Sequence, residues 1–559
     1  MIGAKALETK TKKRGAVILP VLGMAFALSF LLLIYAPFEL YLTNHLEFWF
    51  TAGQLAPYAL TLFAAAFAGT ALVLYLAKRV SGKLYTVLAA ACLTVFLCSW
   101  IQGSYLVFDL PAMNGAPVDW SAFPLDRACS LGLWIVVTAL VVLLAVKLGT
   151  KCFEKLAALV SLAVTLMLAV TLVALFATTD TSGKGRGVVA TDEGMFTYSE
   201  DRNFLILVLD AVDGVAFEQS MARDPSYPTV FEDFTYFSNT TGGYPYSKCS
   251  IPLIVTGQWY EAQEDFVEFE TAAFSASPFL QEITRQGYRK WIYPYDPYVT
   301  ASVKVGDFEN LTMDQPGFGS FGFPCKLLIK MALVKHAPWD LKFLGYDLPG
   351  RLNEEMVFAG DGEMAYYDWS DLSFYKRLVD ENPIAVVNEP CYKYLHLEGA
   401  HEPHVYDKDL NVLESSPYRD VIEANFKMVK LFLDRMKEAG VYDNTVILIM
   451  SDHGSHNGMD LDTINQHPIL LIKGIGEKHD FQRDDAPISY DDLQQAYFKL
   501  ADGMQSEEVF SWQEGDTRDR RFMFYEMTDS DRIVEYIQSG HAENMDTLIP
   551  SGIIFEREK

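Results

Sequence analysis

The 559-residue sequence predicts an α/β fold with a mostly parallel sheet, placed behind an N-terminal domain of five transmembrane helices. Three observations carry this. Apolar residues make up 50% of the chain, and before about residue 180 they fall in long blocks. After it they come in short runs separated by charge and turn residues. Several of those short runs end in polar clusters, as the strands of a parallel sheet do where a ligand crevice opens.

The long blocks run near 15–37, 53–77, 84–108, 128–148 and 156–178. Crossing a hydrocarbon core of about 30 Å takes roughly 20 apolar residues, and each block is long enough. The first follows a basic start (Lys10, Lys12, Lys13, Arg14) like a secretory signal. It exceeds the usual apolar core of such a signal and exits without a small-residue cleavage site, so it is read as a retained anchor.

Charge sets the orientation, because Lys and Arg accumulate in short cytoplasmic loops. The start is basic, and so are the loops around Lys78, Arg79 and Lys83 and around Lys147, Lys151 and Lys155. The other two loops carry Glu39 and Glu47, then Asp109, Asp119 and Asp126 with Arg127 alone. Alternation puts all three basic segments on one side. The expectation is a multi-pass cell-membrane protein with a cytoplasmic N-terminus and everything beyond residue 180 extracytoplasmic.

Residues 181–200 are small, polar and non-periodic, as a linker is. Residues 1–178 hold 12 of the 45 basic and 7 of the 72 acidic side chains, which leaves the remainder near −32. A surface of that sign repels a phosphate backbone, so no nucleic-acid partner is expected. Of the seven cysteines, Cys249, Cys325 and Cys391 lie in the external part without close pairing or a CxxC knuckle; only a Cys325–Cys391 bridge stays open.

Phe204 to Leu209 is a continuous apolar run ending in Asp210, the pattern of a strand buried on both faces. Similar runs recur at Lys290 to Tyr293, Tyr392 to Leu397, Thr445 to Met450 and Ile469 to Ile472, with helices such as Tyr418 to Ala439 between them. The segment from Gly317 to Gly322 has a glycine rhythm but no strand-to-helix context, so it reads as a flexible loop. Tyr244, Tyr246, Tyr293 and Tyr295 fit either ordinary core or the lining of a lipid or glycan pocket.

Ten histidines are present, and His396, His401, His404, His453 and His456 fall at or just after the ends of predicted strands, with His467 close behind. Asp452-His453 follows the apolar strand Thr445 to Met450 and supplies oxygen and nitrogen ligands facing the crevice. Asp210 can add a third. Such a carboxylate–imidazole set suits one divalent ion: Zn²⁺ or Mn²⁺ first, with Mg²⁺ or Ca²⁺ as alternatives.

The ordered set comprises Phe204 to Asp210, Ser247-Lys248-Cys249-Ser250-Ile251-Pro252-Leu253-Ile254-Val255-Thr256-Gly257, His396 to Pro403, and Ser451-Asp452-His453-Gly454. It resembles the sulfatase branch of the alkaline phosphatase superfamily over residues 200–510. The membrane-anchored members are most similar: lipoteichoic acid synthases, phosphoglycerol transferases and phosphoethanolamine transferases, which also carry five N-terminal helices. The resemblance implies an alkaline phosphatase-like extracytoplasmic catalytic domain over 201–559, following the transmembrane domain of 1–180.

It further implies that Asp210, Ser247, Asp452 and His453 hold the metal and that Ser247, ten residues before Gly257, is the covalent nucleophile. Thr240 and Thr241 compete for that role. His401 and His467 match substrate-side histidines, and Lys248 can add positive charge beside the nucleophile; His456 competes with His467. Asp213 reads as a turn residue or as a second carboxylate.

The Cys/Ser-x-Pro-x-Arg signature for oxidation to formylglycine is missing, because Cys249 and Ile251 stand at its +2 and +4 positions. An unmodified serine favours phosphoryl over sulfuryl chemistry. The expected activity is a metal-dependent transferase that moves a phosphoglycerol- or phosphoethanolamine-type head group from a membrane phospholipid to an envelope lipid or glycan. A phosphodiesterase or sulfatase on an exported ester is the enzymatic alternative, and a non-catalytic lipid- or partner-binding member the other.

Overall fold

The computed structural model describes residues 18–45, 48, 50–106, 120–179, 188–295, 298–299, 307–312, 317–318, 320–345, 356–357, 367–380, 382–455, 465–526 and 529–557. His456, Gly319, the basic start and the loop bearing Asp109 and Asp119 lie outside these residues. The chain divides into two units, Met1–Gly185 with Pro316–Ala359, and Arg186–Gln315 with Gly360–Lys559.

The first unit holds four long apolar helices: α1 (Ile18–Thr43), α2 (Ala52–Val80), α3 (Gly82–Tyr105) and α4 (Pro124–Thr178). Four rather than five arises because α4 runs through two of the expected blocks. Its 55 residues would span about 80 Å, far beyond one bilayer. The helix breaks at Gly149 (φ 69°, ψ 165°), a conformation open to glycine, so two apolar lengths remain on either side. In α1 a π-turn at Leu31–Tyr35 precedes Pro37, whose missing N–H interrupts the regular ladder.

The two ends of this bundle differ. At one end Lys78 of α2 pairs with Glu154 of α4, and Thr86 of α3 lies 2.9 Å from Thr150 of α4. These groups sit among Lys83, Lys147, Lys151 and Lys155. At the other end, the later segment Gly322–His336 (α5) and the turn Trp339–Leu344 pack on the helix termini. Lys335 Nζ donates to Glu39 at 2.6 Å, the buried His336 Nδ1 lies 2.9 Å from the Ser99 carbonyl, and the Trp339 N–H donates to Ser130 Oγ at 3.0 Å. Ser130 Oγ in turn donates to Gln102 at 2.8 Å.

Just before α5, Gly317–Phe318 pairs antiparallel with Met356–Val357. The glycine-rich stretch therefore carries a short strand where a flexible loop is expected, because its partner lies nearly forty residues on. Cys325 and Cys391 are both free thiols, each in its own unit, and no bridge joins them.

The second unit is built on a seven-stranded sheet. Its strands are β1 (Asn203–Leu209), β2 (Thr235–Phe237), β3 (Arg289–Tyr293), β4 (Cys391–Leu397), β5 (Thr445–Met450), β6 (Leu470–Lys473) and β7 (Gln482–Asp484), in the order β7-β2-β6-β5-β1-β4-β3. Only β6 runs against the others, which makes the sheet mostly parallel.

β1, β4 and β5 are buried at every position, which accounts for their unbroken apolar runs. Leu209 pairs with Leu397, and Met450 pairs with Val208, so all three strands end at one edge of the sheet. Among the covering helices, α6 (Tyr418–Glu438) buries Ile422, Phe426, Val429, Phe432 and Met436, spaced three or four residues apart. Within residues 188–199, Val188–Ala190 and Thr197–Ser199 form short strands that pair with distant segments. A separate antiparallel sheet closes the chain: β8 (Arg520–Glu526), β9 (Asp529–Gln538) and β10 (Leu548–Glu556).

Candidate metal centre and nucleophile

At the shared edge, β1 delivers Asp210, β5 delivers Ser451-Asp452-His453, and β4 delivers Glu398 and the loop to His404. The turn after β1 is fixed by hydrogen bonds. The Ala211 N–H donates to Asp452 Oδ1 (3.3 Å) and the Val212 N–H to Ser451 Oγ (2.9 Å). The backbone of β4 closes on it: the Ala400 N–H donates to the Asp210 carbonyl at 2.7 Å. Gly399 permits this approach. It sits at φ 62°, and a Cβ there would fall 2.3 Å from the Asp210 nitrogen.

Asp210, Asp452 and His453 are fully buried, and their ligand atoms lie within 4.8 Å of one another. Among the described residues, Asp210 Oδ1 and Asp452 Oδ2 have no hydrogen-bond partner, a costly state for buried carboxylate oxygens. His453 Nδ1 lies 2.7 Å from the Gly454 carbonyl and so carries the proton. Nε2 is left facing Asp210 Oδ1 at 3.5 Å and Asp452 Oδ2 at 3.4 Å. Two buried carboxylate oxygens facing one imidazole call for positive charge among them. One divalent ion fits that donor set.

Ser247 is the first residue of a ten-residue helix, α-helical over Ser247–Thr256, with Tyr246 as its N-cap. Pro252 lies in its second turn, where the missing N–H costs the helix one backbone bond. Ser247 Oγ donates to Asp210 Oδ2 at 3.4 Å, which joins the hydroxyl to the carboxylate cluster. The positive end of the helix dipole lies beside it. Thr240 Oγ1 donates instead to the Phe237 carbonyl at 2.7 Å, and Thr241 Oγ1 is buried without a hydrogen-bond partner. Asp213 caps the helix Gly214–Met221, its Oδ1 accepting from the Val215 and Ala216 N–H groups.

Burial pushes the Asp210 carboxyl up, but His401, His396 and His453 outweigh it and hold the group well below the ordinary carboxylate range. His401, packed edge-on to Trp369 at 5.4 Å, is thus electrostatically part of the cluster. Two other expected residues point elsewhere. Lys248 Nζ donates to Ser530 Oγ of β9 at 2.9 Å and sits 4.8 Å over the Phe266 ring. His467 is buried with Nε2 2.8 Å from the Ser238 carbonyl and its ring against Gly214; burial pushes its pKa down to about 4.

Of the four tyrosines, Tyr244 and Tyr293 are core. Tyr246 stands edge-on to His453, with centroids 6.4 Å apart, and Tyr295 is 37% exposed beside Trp369. Sequence reasoning gives no separate role to His396 or to Asp371. His396 Nε2 lies 3.1 Å from Asp210 Oδ2. Asp371 accepts from the Gly399 N–H and the Tyr406 hydroxyl, and burial raises its pKa to about 7. A histidine inside a fully buried strand must find a hydrogen-bond partner, and that was the available signal for His396.

A segment of 255 residues is 22% identical to lipoteichoic acid synthase 1 of Bacillus subtilis (strain 168), covering 40% of this chain and 39% of that protein. The chain therefore spans well under half the length of that relative. Among solved structures, a lipoteichoic acid synthase from Listeria monocytogenes is similar at 11% identity, covering 66% of this chain and 88% of that one, with a TM-score of 0.36. An alkaline phosphatase superfamily protein from Vibrio parahaemolyticus is similar at 12% identity, 66% and 85% coverage and a TM-score of 0.35. The sulfatase family model matches residues 202–504, more than half of the chain and the whole stretch from β1 through the metal centre; the chain belongs to the sulfatase family.

Proposed function

We propose that this protein is a membrane-anchored, divalent-metal-dependent phosphotransferase. It moves a phosphoglycerol- or phosphoethanolamine-type head group from a membrane phospholipid to an envelope lipid or glycan through a covalent intermediate on Ser247. The observation that carries this reading is the orphaned pair of carboxylate oxygens, Asp210 Oδ1 and Asp452 Oδ2, around His453 Nε2, with the Ser247 hydroxyl on the same Asp210. A bound divalent ion would be held by Asp210, Asp452, His453 and Ser247. It supplies Lewis-acid stabilisation of an alkoxide and of phosphoryl charge.

The chain's own groups do the remainder. Asp210 Oδ2 holds the Ser247 O–H and turns its free lone pair outward. The helix N-terminus at Ser247 places backbone dipoles where phosphoryl oxygens gather. His401 is poised beside the cluster to hand a proton to the departing alcohol and to take one from the incoming hydroxyl. In the first half-reaction the Ser247 proton passes to solvent as Oγ bonds to phosphorus, and the lipid alcohol leaves with a proton from His401; in the second the acceptor oxygen, its proton taken by His401, displaces Ser247, which regains a proton from solvent. The unmodified serine and the missing formylglycine signature support phosphoryl rather than sulfuryl transfer.

An extracytoplasmic location is supported by the basic side chains collected at one end of the bundle and by the packing of α5 at the other. The test uses the full chain in detergent, a phospholipid donor and mass spectrometry of the peptide containing Ser247. A head-group phosphate on Ser247 is expected, absent in Ser247→Ala and absent in chelator. Full turnover by Ser247→Ala, or in chelator, would sink the reading.

A further inference from the structure

One residue at the centre has no part in the scheme above. His396, one position before the end of the fully buried strand β4, has 0% exposure and flanks Asp210 at the end of the neighbouring strand β1. Its Nε2 lies 3.1 Å from Asp210 Oδ2, and its Nδ1 lies 3.2 Å from the hydroxyl of Tyr394, which is also fully buried. A carboxylate oxygen accepts only, so Nε2 bears the proton. Nδ1 is then the atom that meets the Tyr394 hydroxyl, so one ring bridges phenol and carboxylate.

The consequence concerns the two oxygens of Asp210. Oδ2 is occupied by two donors, His396 Nε2–H and Ser247 Oγ–H, while Oδ1 has none and faces His453 Nε2 and, across it, Asp452. Turning the carboxylate part-way from this orientation would leave the His396 N–H, in a wholly buried setting, without its acceptor.

We propose that His396, oriented by Tyr394, is a positioning residue: it locks the carboxylate of Asp210 so that one oxygen serves the nucleophile and the other is presented to the cation. This rests on reading the cluster as a metal centre. The relay runs from phenol to imidazole to carboxylate, and neither His396 nor Tyr394 touches substrate. Orientation of a ligand by such outer hydrogen bonds is commonly worth about 10–100-fold in metal affinity.

The experiment measures Mn²⁺ and Zn²⁺ dissociation constants of the full-length protein in detergent, by competition with a chromophoric chelator. The thermal midpoint of the chelator-treated protein is recorded alongside. His396→Phe keeps a planar ring without an N–H and is expected to weaken metal binding about 10–100-fold. His396→Gln returns an N–H near the Nε2 position and is expected to bind tighter than His396→Phe. Tyr394→Phe is expected to weaken binding several-fold while leaving the metal-free midpoint near that of the unaltered protein.

A His396→Phe variant that binds metal as tightly as the unaltered protein overturns the proposal, as does a His396→Gln variant no tighter than His396→Phe. If His396→Phe does not fold, Tyr394→Phe decides, and unchanged affinity there overturns it. Failure of the unaltered protein to bind either ion ends both this inference and the metal reading. Metal binding with the predicted ranking but no Ser247 adduct leaves the inference standing and removes the phosphotransfer reading alone.

Discussion

At the scale of single residues, burial decides what a titratable group can do. Asp210 is surrounded by imidazoles and stays ionised, which a cation ligand needs, whereas His467 is enclosed by backbone and held neutral. The latter gives a pH prediction. The folded-state pKa of His467, about 4, lies below the 6.5 of a free histidine. Above pH 6.5 both states are neutral and stability is complete. Between 6.5 and 4 the unfolded chain takes a proton that the folded chain refuses, so stability falls with acid, by about 3 kcal/mol over the window. Denaturant midpoints at pH 7 and pH 4.5 should show a smaller difference in His467→Gln than in the unaltered protein. Equal differences would mean that other groups govern the acid transition.

Among elements, the turn between β4 and the following loop bears most directly on function, because the backbone of Gly399 lies against that of Asp210. An alanine there would sit at positive φ and drive its methyl into the Asp210 backbone, 2.3 Å from the nitrogen. Gly399→Ala is expected to cost about 2–4 kcal/mol of stability and at least a tenfold loss of metal affinity, since β1 and β4 must part at the ligand. Thermal unfolding and metal titration of the same variant check this, and wild-type values in both would show that the loop can yield. Elsewhere the Gly103 position of α3 accommodates the buried His336 ring in the same way, with a Cβ there falling 2.1 Å from Nδ1.

For the whole molecule, the division of charge between the two ends of the bundle makes a topological prediction that native cysteines can report. Cys152 lies among Lys147, Lys151 and Lys155, Cys129 lies beside Ser130 near the end covered by α5, and both thiols are exposed. In variants keeping only one of them, a membrane-impermeant thiol reagent should modify Cys129 in intact cells and Cys152 only after permeabilisation. The reverse pattern would place residues 186 onward in the cytoplasm, out of reach of an envelope acceptor. The interruption of the catalytic unit by 316–359, which belongs with the helical bundle, has no counterpart in composition, since α5 is neither long nor especially apolar.

What the sequence determined by itself was whatever depends on local pattern. The apolar blocks marked the membrane helices, the continuous runs marked β1, β4 and β5 to within a residue, and Asp210 and Asp452-His453 stood at strand ends, where a parallel sheet gathers ligands. Sequence order and spacing of the motifs from Phe204 to Gly454 were enough for the family. Tertiary structure decided what depends on register and burial. Only the alignment of Leu397 with Leu209 brings His396 and Gly399 against Asp210, only the course of β9 draws Lys248 to Ser530, and only enclosure by Ser238 and Gly214 turns His467 into a neutral core residue. The physical reason is that a side chain's type is fixed along the chain, whereas its partner and dielectric surroundings come from residues up to hundreds of positions away.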